Sequence, residues 1–321
     1  MTTVSWDSTT ATAVAQSRRR GPVAKIKRHW QLYLLISVPT AFLLVFNYWP
    51  MVGVQLAFRA YNPLQGMFGS PWVGMQEMNM WLQSPYFWPV LANTLVIGIY
   101  TLIVGTSAAI ILALALNEVK HRWFKKTVQT ITYTPYFISV VVLVGMMQIM
   151  LATRDSPWAK LFGLFNGHNP PDLFGNPSAF ASLFVWSGVW QATGYGAVIY
   201  LAALTSVNPE LYEAARIDGA SRLQRIRNID WPAIRPTVIV LVILAVGGLL
   251  NAASFEKAYL MQTPLNLSTS EVISTYVYKI GLLNGNFSFA AAVGLFNSVV
   301  GFVLLVITNL VARLVSETSL F

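Results

Sequence analysis

Six long apolar stretches alternate with polar segments along the chain. They cover roughly residues 32–54, 90–116, 131–151, 179–204, 237–255 and 288–312. Each is about as long as the ~18–20 residues that a helix needs to cross the hydrocarbon core of a bilayer. Because charged side chains are almost absent from these stretches, the pattern predicts an all-α, polytopic integral membrane protein with six transmembrane helices.

Prolines and small residues modify this pattern without removing it. Pro39, Pro50 and Pro135 lie inside the first and third stretches, where neighbouring helices can satisfy the freed backbone groups, so kinks are expected. The fourth stretch is rich in Gly and aromatic residues, which is typical of close helix packing. We interpret the polar and basic residues 1–30 as a disordered cytoplasmic tail, followed by a transmembrane domain over residues 31–321.

Positive charges are distributed unevenly between the segments that connect the apolar stretches. With the N-terminus in the cytoplasm, 16 Lys and Arg residues fall on cytoplasmic segments and 5 on outer loops. Positive residues accumulate on the cytoplasmic side of membrane proteins, so both termini are expected to be cytoplasmic. The net charge of +9 then reflects orientation in the lipid bilayer, and nucleic-acid binding is not expected.

Composition narrows the possible chemistry. Charged residues make up 10% of the chain, against about 25% in a soluble domain, and there are no cysteines. Thiolate sites and cysteine nucleophiles are therefore excluded, and His29, His121 and His168 are too scattered in sequence to suggest a metal site. The P-loop pattern G-x-x-x-x-G-K-[ST] does not occur, so no ATP site is expected in this chain.

The polar insert between the fourth and fifth stretches has clear helix boundaries. Asn208 is a good N-cap and is followed by a proline, which predicts a short helix over about 209–217. Gly219 should end this helix in a conformation with φ > 0. Ser221 and Gln224 have the spacing of a capping box, which predicts a second, basic helix lying along the membrane face.

The same insert carries a family signature. Residues 213–232 read EAARIDGASRLQRIRNIDWP, in which Glu-Ala-Ala is followed at fixed distances by Gly219, Ile229 and Pro232. This spacing resembles the EAA motif of binding-protein-dependent ABC importer permeases, with Trp231 where that family usually has leucine. The stretches YNPLQGMFGSPWVGMQEM and TPYFISVVVLVGMM are similar to its carbohydrate-uptake branch, especially the oligosaccharide and polysaccharide permeases and the alginate-type importers.

The resemblance implies that this chain is one subunit of a multi-subunit transporter in the bacterial cytoplasmic (inner) membrane. The insert would be a coupling helix that docks into a groove of a cytoplasmic ATPase subunit. Its contact residues would be Glu213, Ala214, Ala215, Asp218 and Gly219. The other partners would be a second homologous permease subunit, a second copy of the ATPase subunit and an extracytoplasmic solute-binding protein.

The resemblance also implies what this chain does and does not bind. It would carry an oligosaccharide, with an acidic, alginate-like chain as the narrower expectation. It would bind no cofactor and no metal, and it would not be an enzyme, because ATP and Mg would be used by the separate ATPase.

A pathway for sugars needs aromatic faces for stacking and neutral groups for hydrogen bonds. Candidates inside the stretches are Asn93, Tyr136, Trp186, Trp190, Gln191, Tyr195 and Asn251. Spacings of four and five residues suggest that Trp186, Trp190 and Tyr195 share one helical face; helix packing or lipid contact is the alternative for each. The stretches offer no cation for an acidic sugar, so its recognition would fall to other chains or to loop residues such as Arg59 and Lys257.

Two other functions remain open at this point. An ion- or proton-coupled secondary sugar transporter would normally keep ionisable residues within its spans, and these are nearly absent here. A membrane-embedded enzyme would need clustered carboxylates or histidines at membrane depth, which the sequence does not offer. The tryptophans of the outer loops, Trp72, Trp81, Trp88 and Trp158, fit either an interfacial aromatic belt or a docking surface for an external protein.

Overall fold

A computed structural model describes residues 29–153, 156–166 and 170–315. Most of these residues are helical, and their β-structure is limited to one isolated bridge between Arg59 and Trp72. The all-α class is therefore confirmed. Apart from its last two positions, the predicted tail over residues 1–30 lies outside the described residues.

The helices vary in length from about one turn to almost nine turns. In chain order they are α1 (Trp30–Leu43), α2 (Gly66–Gly69), α3 (Gln76–Leu82), α4 (Phe87–Glu118), α5 (Arg122–Tyr133), α6 (Val140–Met150), α7 (Pro157–Asn166), α8 (Pro177–Thr205), α9 (Pro209–Ile217), α10 (Arg222–Arg225), α11 (Trp231–Gly247), α12 (Phe255–Met261), α13 (Leu267–Ser270), α14 (Ile273–Tyr278) and α15 (Phe287–Val315). The chain divides after Gly53 into two compact units. The second unit contains α2 to α15 and both sites described below.

Four helical segments are long and apolar enough to cross a membrane. They are Trp30–Phe58, Phe87–Glu118, Arg222–Gly247 and Phe287–Leu314. A fifth span results if the bent pair Arg122–Phe137 and Val140–Met150 is counted as one. α8 has 29 residues, but its Gly, Ser, Gln and aromatic residues make it less apolar than these segments. The described residues thus contain four clear spans, or five with the bent pair, against the six predicted.

The third predicted stretch is not a single straight helix. α5 and its short 3-10 continuation to Phe137 meet α6 at an angle of 97°. Pro135 lies at this break, where its ring and missing N–H prevent an α-helix from continuing. Ser139 then caps α6, since its hydroxyl accepts a hydrogen bond of 3.3 Å from the Val142 N–H. The distortion predicted at the proline is confirmed, but the 97° bend is much sharper than a kink within one helix.

The second helix of the polar insert leads directly into the fifth span. α10 continues through a π-helical turn into α11, so that Arg222–Gly247 is one helix of 26 residues. In the π-helical turn the Trp231 N–H donates to the Ile226 carbonyl, five residues back, and this altered hydrogen-bond register lets the helix pass Pro232. The second helix is therefore not separate from the fifth span, and that part of the prediction is wrong. The span also ends at Gly247 rather than at residue 255.

α11 and α15 approach each other closely where two glycines meet. A Cβ on Gly247 would lie 2.5 Å from Leu305 Cδ1, and a Cβ on Gly301 would lie 3.0 Å from the Gly247 carbonyl oxygen. A side chain on Gly247 would force Leu305 to shift, and one on Gly301 would press against the Gly247 backbone, so small residues favour this contact, as they favour many close helix contacts in membranes.

One outer-loop tryptophan belongs to the core. Trp81 in α3 is 0% exposed, and its ring lies within 6.3 Å, centroid to centroid, of Phe87, Tyr276, Phe289 and Phe296. It is therefore neither part of an interfacial belt nor part of a docking surface. Trp72 and Trp88, in contrast, are exposed.

Candidate coupling surface and transport cavity

The two helices of the polar insert begin at the residues that the sequence predicts. The Asn208 side chain accepts a hydrogen bond of 3.0 Å from the Glu210 N–H at the start of α9. Ser221 and Gln224 form a reciprocal capping box at the start of α10, with distances of 2.7 and 3.4 Å. These bonds satisfy backbone donors that a helix start leaves without a partner.

The end of α9 is a complete Schellman motif. Gly219 has a φ of 74°, its N–H donates to the Arg216 carbonyl at 3.1 Å, and the Ala220 N–H donates to the Ala215 carbonyl at 2.8 Å. A residue with a Cβ is strained at this φ, so the backbone itself favours glycine. The turn predicted at Gly219 is confirmed.

Tyr212 joins the inner side of α9 to two spans. Its hydroxyl donates to the carboxylate of Asp230, which is fully buried. The Asn117 amide, near the end of α4, donates to the Tyr212 hydroxyl oxygen at 3.4 Å and to Asp230 Oδ1 at 3.3 Å. Burial and the hydrogen bond to Asp230 raise the pKa of Tyr212 to about 12, so the phenol keeps the proton that it donates at neutral pH.

Arg225 makes a second connection on the same side of the molecule. Its Nη2 lies 2.8 Å from Oε2 of Glu118, the last residue of α4, and both side chains are largely buried. The polar insert is therefore attached by a hydrogen-bond network and by an ion pair to the ends of α4 and α11.

The outer side of α9 is open. Predicted contact residues are Glu213, Ala214, Ala215, Asp218 and Gly219; all are exposed except Ala215, which is half-buried. Two large apolar side chains lie among them, Leu211 and Ile217, which are 53% and 86% exposed. This outer side, from Leu211 to Gly219, is called the coupling surface below. An apolar, small-residue surface beside charged groups is suited to protein contact.

A cavity of about 420 Å³ lies between α4, α8 and α12, and its wall is mainly apolar. Among its polar groups, the Gln191 amide donates to the Ile138 carbonyl at 2.7 Å. The hydroxyls of Thr101 and Thr193 are buried and have no hydrogen-bond partner among the described residues. A cavity of this size, lined also by the polar side chains of Ser254 and Lys257, can hold a small polar ligand.

Lys257 reaches this cavity from α12, which lies outside the candidate spans. Its side chain is 5% exposed. Nζ donates to the Phe184 carbonyl at 2.7 Å and lies 4.6 Å from the centroid of the Phe184 ring. Neither ion pair found among the described residues includes this lysine.

Burial lowers the pKa of Lys257 to about 8. The sequence placed this residue on an outer loop, and nothing in its local pattern indicated that it lines a cavity.

The three aromatic residues predicted on one face of α8 lie on two sides of it. The Trp186 Nε1 donates to the Tyr100 hydroxyl at 2.9 Å, and Trp190, one turn later, is half-exposed. Tyr195 stacks instead on Tyr136, with ring centroids 4.1 Å apart. Nine residues at 3.6 residues per turn make about two and a half turns, so Trp186 and Tyr195 face in opposite directions and the single-face prediction is wrong.

The remaining path candidates connect helices. The Asn93 amide donates to the Ser268 and Glu271 carbonyls at 2.9 and 3.0 Å. Asn251 accepts a hydrogen bond of 3.0 Å from the Asn297 amide. Of the seven predicted path residues, all of which the structure describes, Gln191 alone lines the cavity.

Three comparisons with known proteins agree with one another. A family model described as "Binding-protein-dependent transport system inner membrane component" matches residues 105–317. Protein LplB of Bacillus subtilis is 38% identical over 299 residues, which cover 93% of each chain. The polygalacturonan/rhamnogalacturonan transport system permease protein YteP of the same organism is 37% identical over 306 residues, which cover 95% of each chain.

A solved structure shares the fold along most of the chain. It is the crystal structure of a bacterial alginate ABC transporter in complex with an alginate pentasaccharide-bound periplasmic protein. One of its chains superposes with a TM-score of 0.84 and 34% identity, covering 92% of this chain and 99% of that one.

Proposed function

The chain belongs to the family of binding-protein-dependent transport system inner membrane components, and from this premise we propose that it is a permease subunit that carries an oligosaccharide in an ATP-driven importer. The observation that carries the proposal is the cavity between α4, α8 and α12, whose mainly apolar wall includes the polar side chains of Gln191, Ser254 and Lys257. The relatives named for polygalacturonan, rhamnogalacturonan and alginate support an oligosaccharide, and an acidic, alginate-like chain is the narrower form of the proposal.

The proposed assembly contains several chains. A second homologous permease subunit would complete the path through the membrane, and two copies of a cytoplasmic ATPase subunit would use ATP and Mg. An extracytoplasmic solute-binding protein would deliver the sugar; the related alginate transporter was crystallised with such a periplasmic protein. This chain would bind no cofactor and would catalyse no reaction itself.

The proposed topology has six transmembrane helices in the bacterial inner membrane. The bent pair and α8 would be added to the four clear spans. α8 is long enough, because 29 residues at about 1.5 Å per residue exceed the ~30 Å hydrocarbon thickness. The excess of Lys and Arg on the segments that would face the cytoplasm supports cytoplasmic termini.

The coupling surface would be the docking site for the ATPase. Its exposed Leu211 and Ile217 are suited to an apolar groove, and the small side chain of Ala214 would allow close approach. Displacements of α9 would then reach the spans through the Tyr212–Asp230 hydrogen bond and the Arg225–Glu118 ion pair.

Reconstitution tests the transport function. The complete complex in liposomes should take up a labelled oligosaccharide only when ATP is present on the ATPase side and loaded binding protein on the other side. Collapsing ion gradients with an ionophore should leave uptake unchanged. Uptake driven by a gradient in the absence of the ATPase would instead establish the secondary transporter.

Two substitutions test the docking surface. Ala214→Arg and Ala215→Arg should each abolish the stimulation of ATP hydrolysis by loaded binding protein, because a bulky charge would be buried at the contact at a cost of several kcal/mol. Ala214→Ser is the matched control and should keep normal stimulation. Normal stimulation in both arginine variants would remove the ATPase contact from this surface.

A further inference from the structure

Lys257 is a buried cation whose charge is only partly compensated. An ammonium group has three donors, and one of them is used by the Phe184 carbonyl. The Phe184 ring adds a cation–π contact, but ring and carbonyl are both neutral. Burying a charge without an opposite charge is unfavourable. A lysine at this position is therefore accounted for best if an anion completes its surroundings in the working transporter.

The surroundings leave room for such an anion on the cavity side. Gly188 of α8 lines the cavity, and a Cβ at this position would lie 3.2 Å from Lys257 Nζ. The absence of a side chain there keeps the ammonium accessible from the cavity. Gln191 and Ser254 line the same cavity, so neutral hydrogen-bonding side chains are present for the rest of a polar ligand.

We infer that the cavity contains an anion subsite in which Lys257 binds a carboxylate of the transported sugar, so that this chain itself selects oligosaccharides containing uronic acids. A single ammonium matches the single charge of a carboxylate, and the neutral side chains of Gln191 and Ser254 match the hydroxyls of a sugar ring. The inference rests on the proposed function and adds to it a specificity-determining residue and a chemical class of substrate.

The experiment compares two probes that differ only in charge. Complexes containing the wild-type chain, Lys257→Met, Lys257→Arg or the exposed control Lys160→Met are reconstituted with ATPase, partner permease and binding protein. Uptake is measured for a labelled trigalacturonate and for its methyl-esterified, neutral form. Because each variant is compared with wild type on the same probe, the preference of the binding protein cancels. Lys257→Gln replaces Lys257→Met if the methionine variant does not assemble.

Lys257→Met is expected to lower uptake of the acidic probe at least tenfold and to leave uptake of the esterified probe within twofold of wild type. Lys257→Arg should keep the preference for the acidic probe, and Lys160→Met should behave like wild type. Equal losses of uptake for both probes would mean that Lys257 only connects α12 to α8. Unchanged uptake of both probes would also overturn the subsite. If the wild-type complex carries neither probe nor any other oligosaccharide with ATP, the proposed function itself fails.

Discussion

Two buried cations, Arg225 and Lys257, are held in different ways. They are 7% and 5% exposed, so burial does not distinguish them. Arg225 has a carboxylate partner, Glu118, at 2.8 Å, whereas Lys257 has a carbonyl and an aromatic ring. The two residues therefore differ in counter-charge rather than in burial. Arg225 is paired within the fold, whereas the carboxylate proposed for Lys257 would come from the substrate.

The surroundings of the two residues differ in the same way. Near Arg225, atoms without partners occur on Arg225 and on Asp230, but each of these side chains is held through another atom by Glu118 or Tyr212. In the cavity, Thr101 and Thr193 each have an unpartnered hydroxyl. Arg225 and Asp230 are thus each held by a polar or charged side chain, whereas the contacts of Lys257 are with a neutral carbonyl and a neutral ring.

Removing the partner of Arg225 should have the largest effect on stability. Glu118→Gln leaves the guanidinium buried without a counter-charge, and we expect it to destabilise the chain by about 3–5 kcal/mol. The measurement is thermal or denaturant unfolding of the purified complex, with Lys257→Met as the comparison.

The double variant Glu118→Gln/Arg225→Met is the control for that prediction. It removes both charges, so most of the lost stability should return. Lys257→Met should be neutral or stabilising, because it removes a buried charge that has no carboxylate partner. If Lys257→Met destabilises the fold as much as Glu118→Gln does, the two cations are alike and the comparison fails.

Raising the pH should discharge Lys257 but not Arg225, because a guanidinium stays charged over this range. Because burial lowers the pKa of Lys257 to about 8 from its ordinary 10.5, the ammonium is charged at pH 7 and loses its proton as the pH rises through 8. The ratio of acidic to esterified trigalacturonate uptake should therefore fall roughly tenfold between pH 7 and pH 9. Lys257→Arg keeps its charge over this range and should flatten the profile; an equally steep profile in that variant would assign the pH dependence to another group.

Substitutions of two glycines, Gly219 and Gly188, are expected to have the smallest effects. Gly219→Ala adds a methyl group in open space at a φ of 74°, so only backbone strain of about 1 kcal/mol is expected, together with weaker stimulation of ATP hydrolysis. Gly188→Ala meets no such backbone constraint but places its Cβ 3.2 Å from Lys257 Nζ, so it should reduce uptake of the acidic probe and leave stimulation by loaded binding protein unchanged. Exchanged phenotypes would contradict the separation of the two regions.

Local chemistry predicted the helix boundaries of the polar insert well. The cap at Asn208, the left-handed turn at Gly219 and the capping box at Ser221 all depend on atoms within about one helical turn, so the sequence nearby contains all the necessary information. The same holds for the break at Pro135, although its 97° angle is set by packing and could not be inferred from the proline.

Contacts between distant residues were not predictable in this way. Lys257 bonds to Phe184, 73 positions earlier in the chain, and no periodicity links the two. Trp81 was expected at a surface and is instead enclosed by rings from α4, α14 and α15. The aromatic residues of α8 were assigned to one side because their spacing was interpreted without knowing which neighbours, Tyr100 or Tyr136, each would meet.

The unbroken helix from Arg222 to Gly247 also has a mechanical consequence. Its 26 residues make a rod about 39 Å long, and the tight contact between Gly247 and Gly301 lies at its far end, where a fulcrum would be. A rod that pivots there moves most at its Arg222 end. A tilt of about 5° would move that end by roughly 3 Å and the Gly247 end by much less. A large displacement at the polar insert would therefore reach the 3-10 turn Leu249–Asn251, which leads to the cavity wall, as a small adjustment.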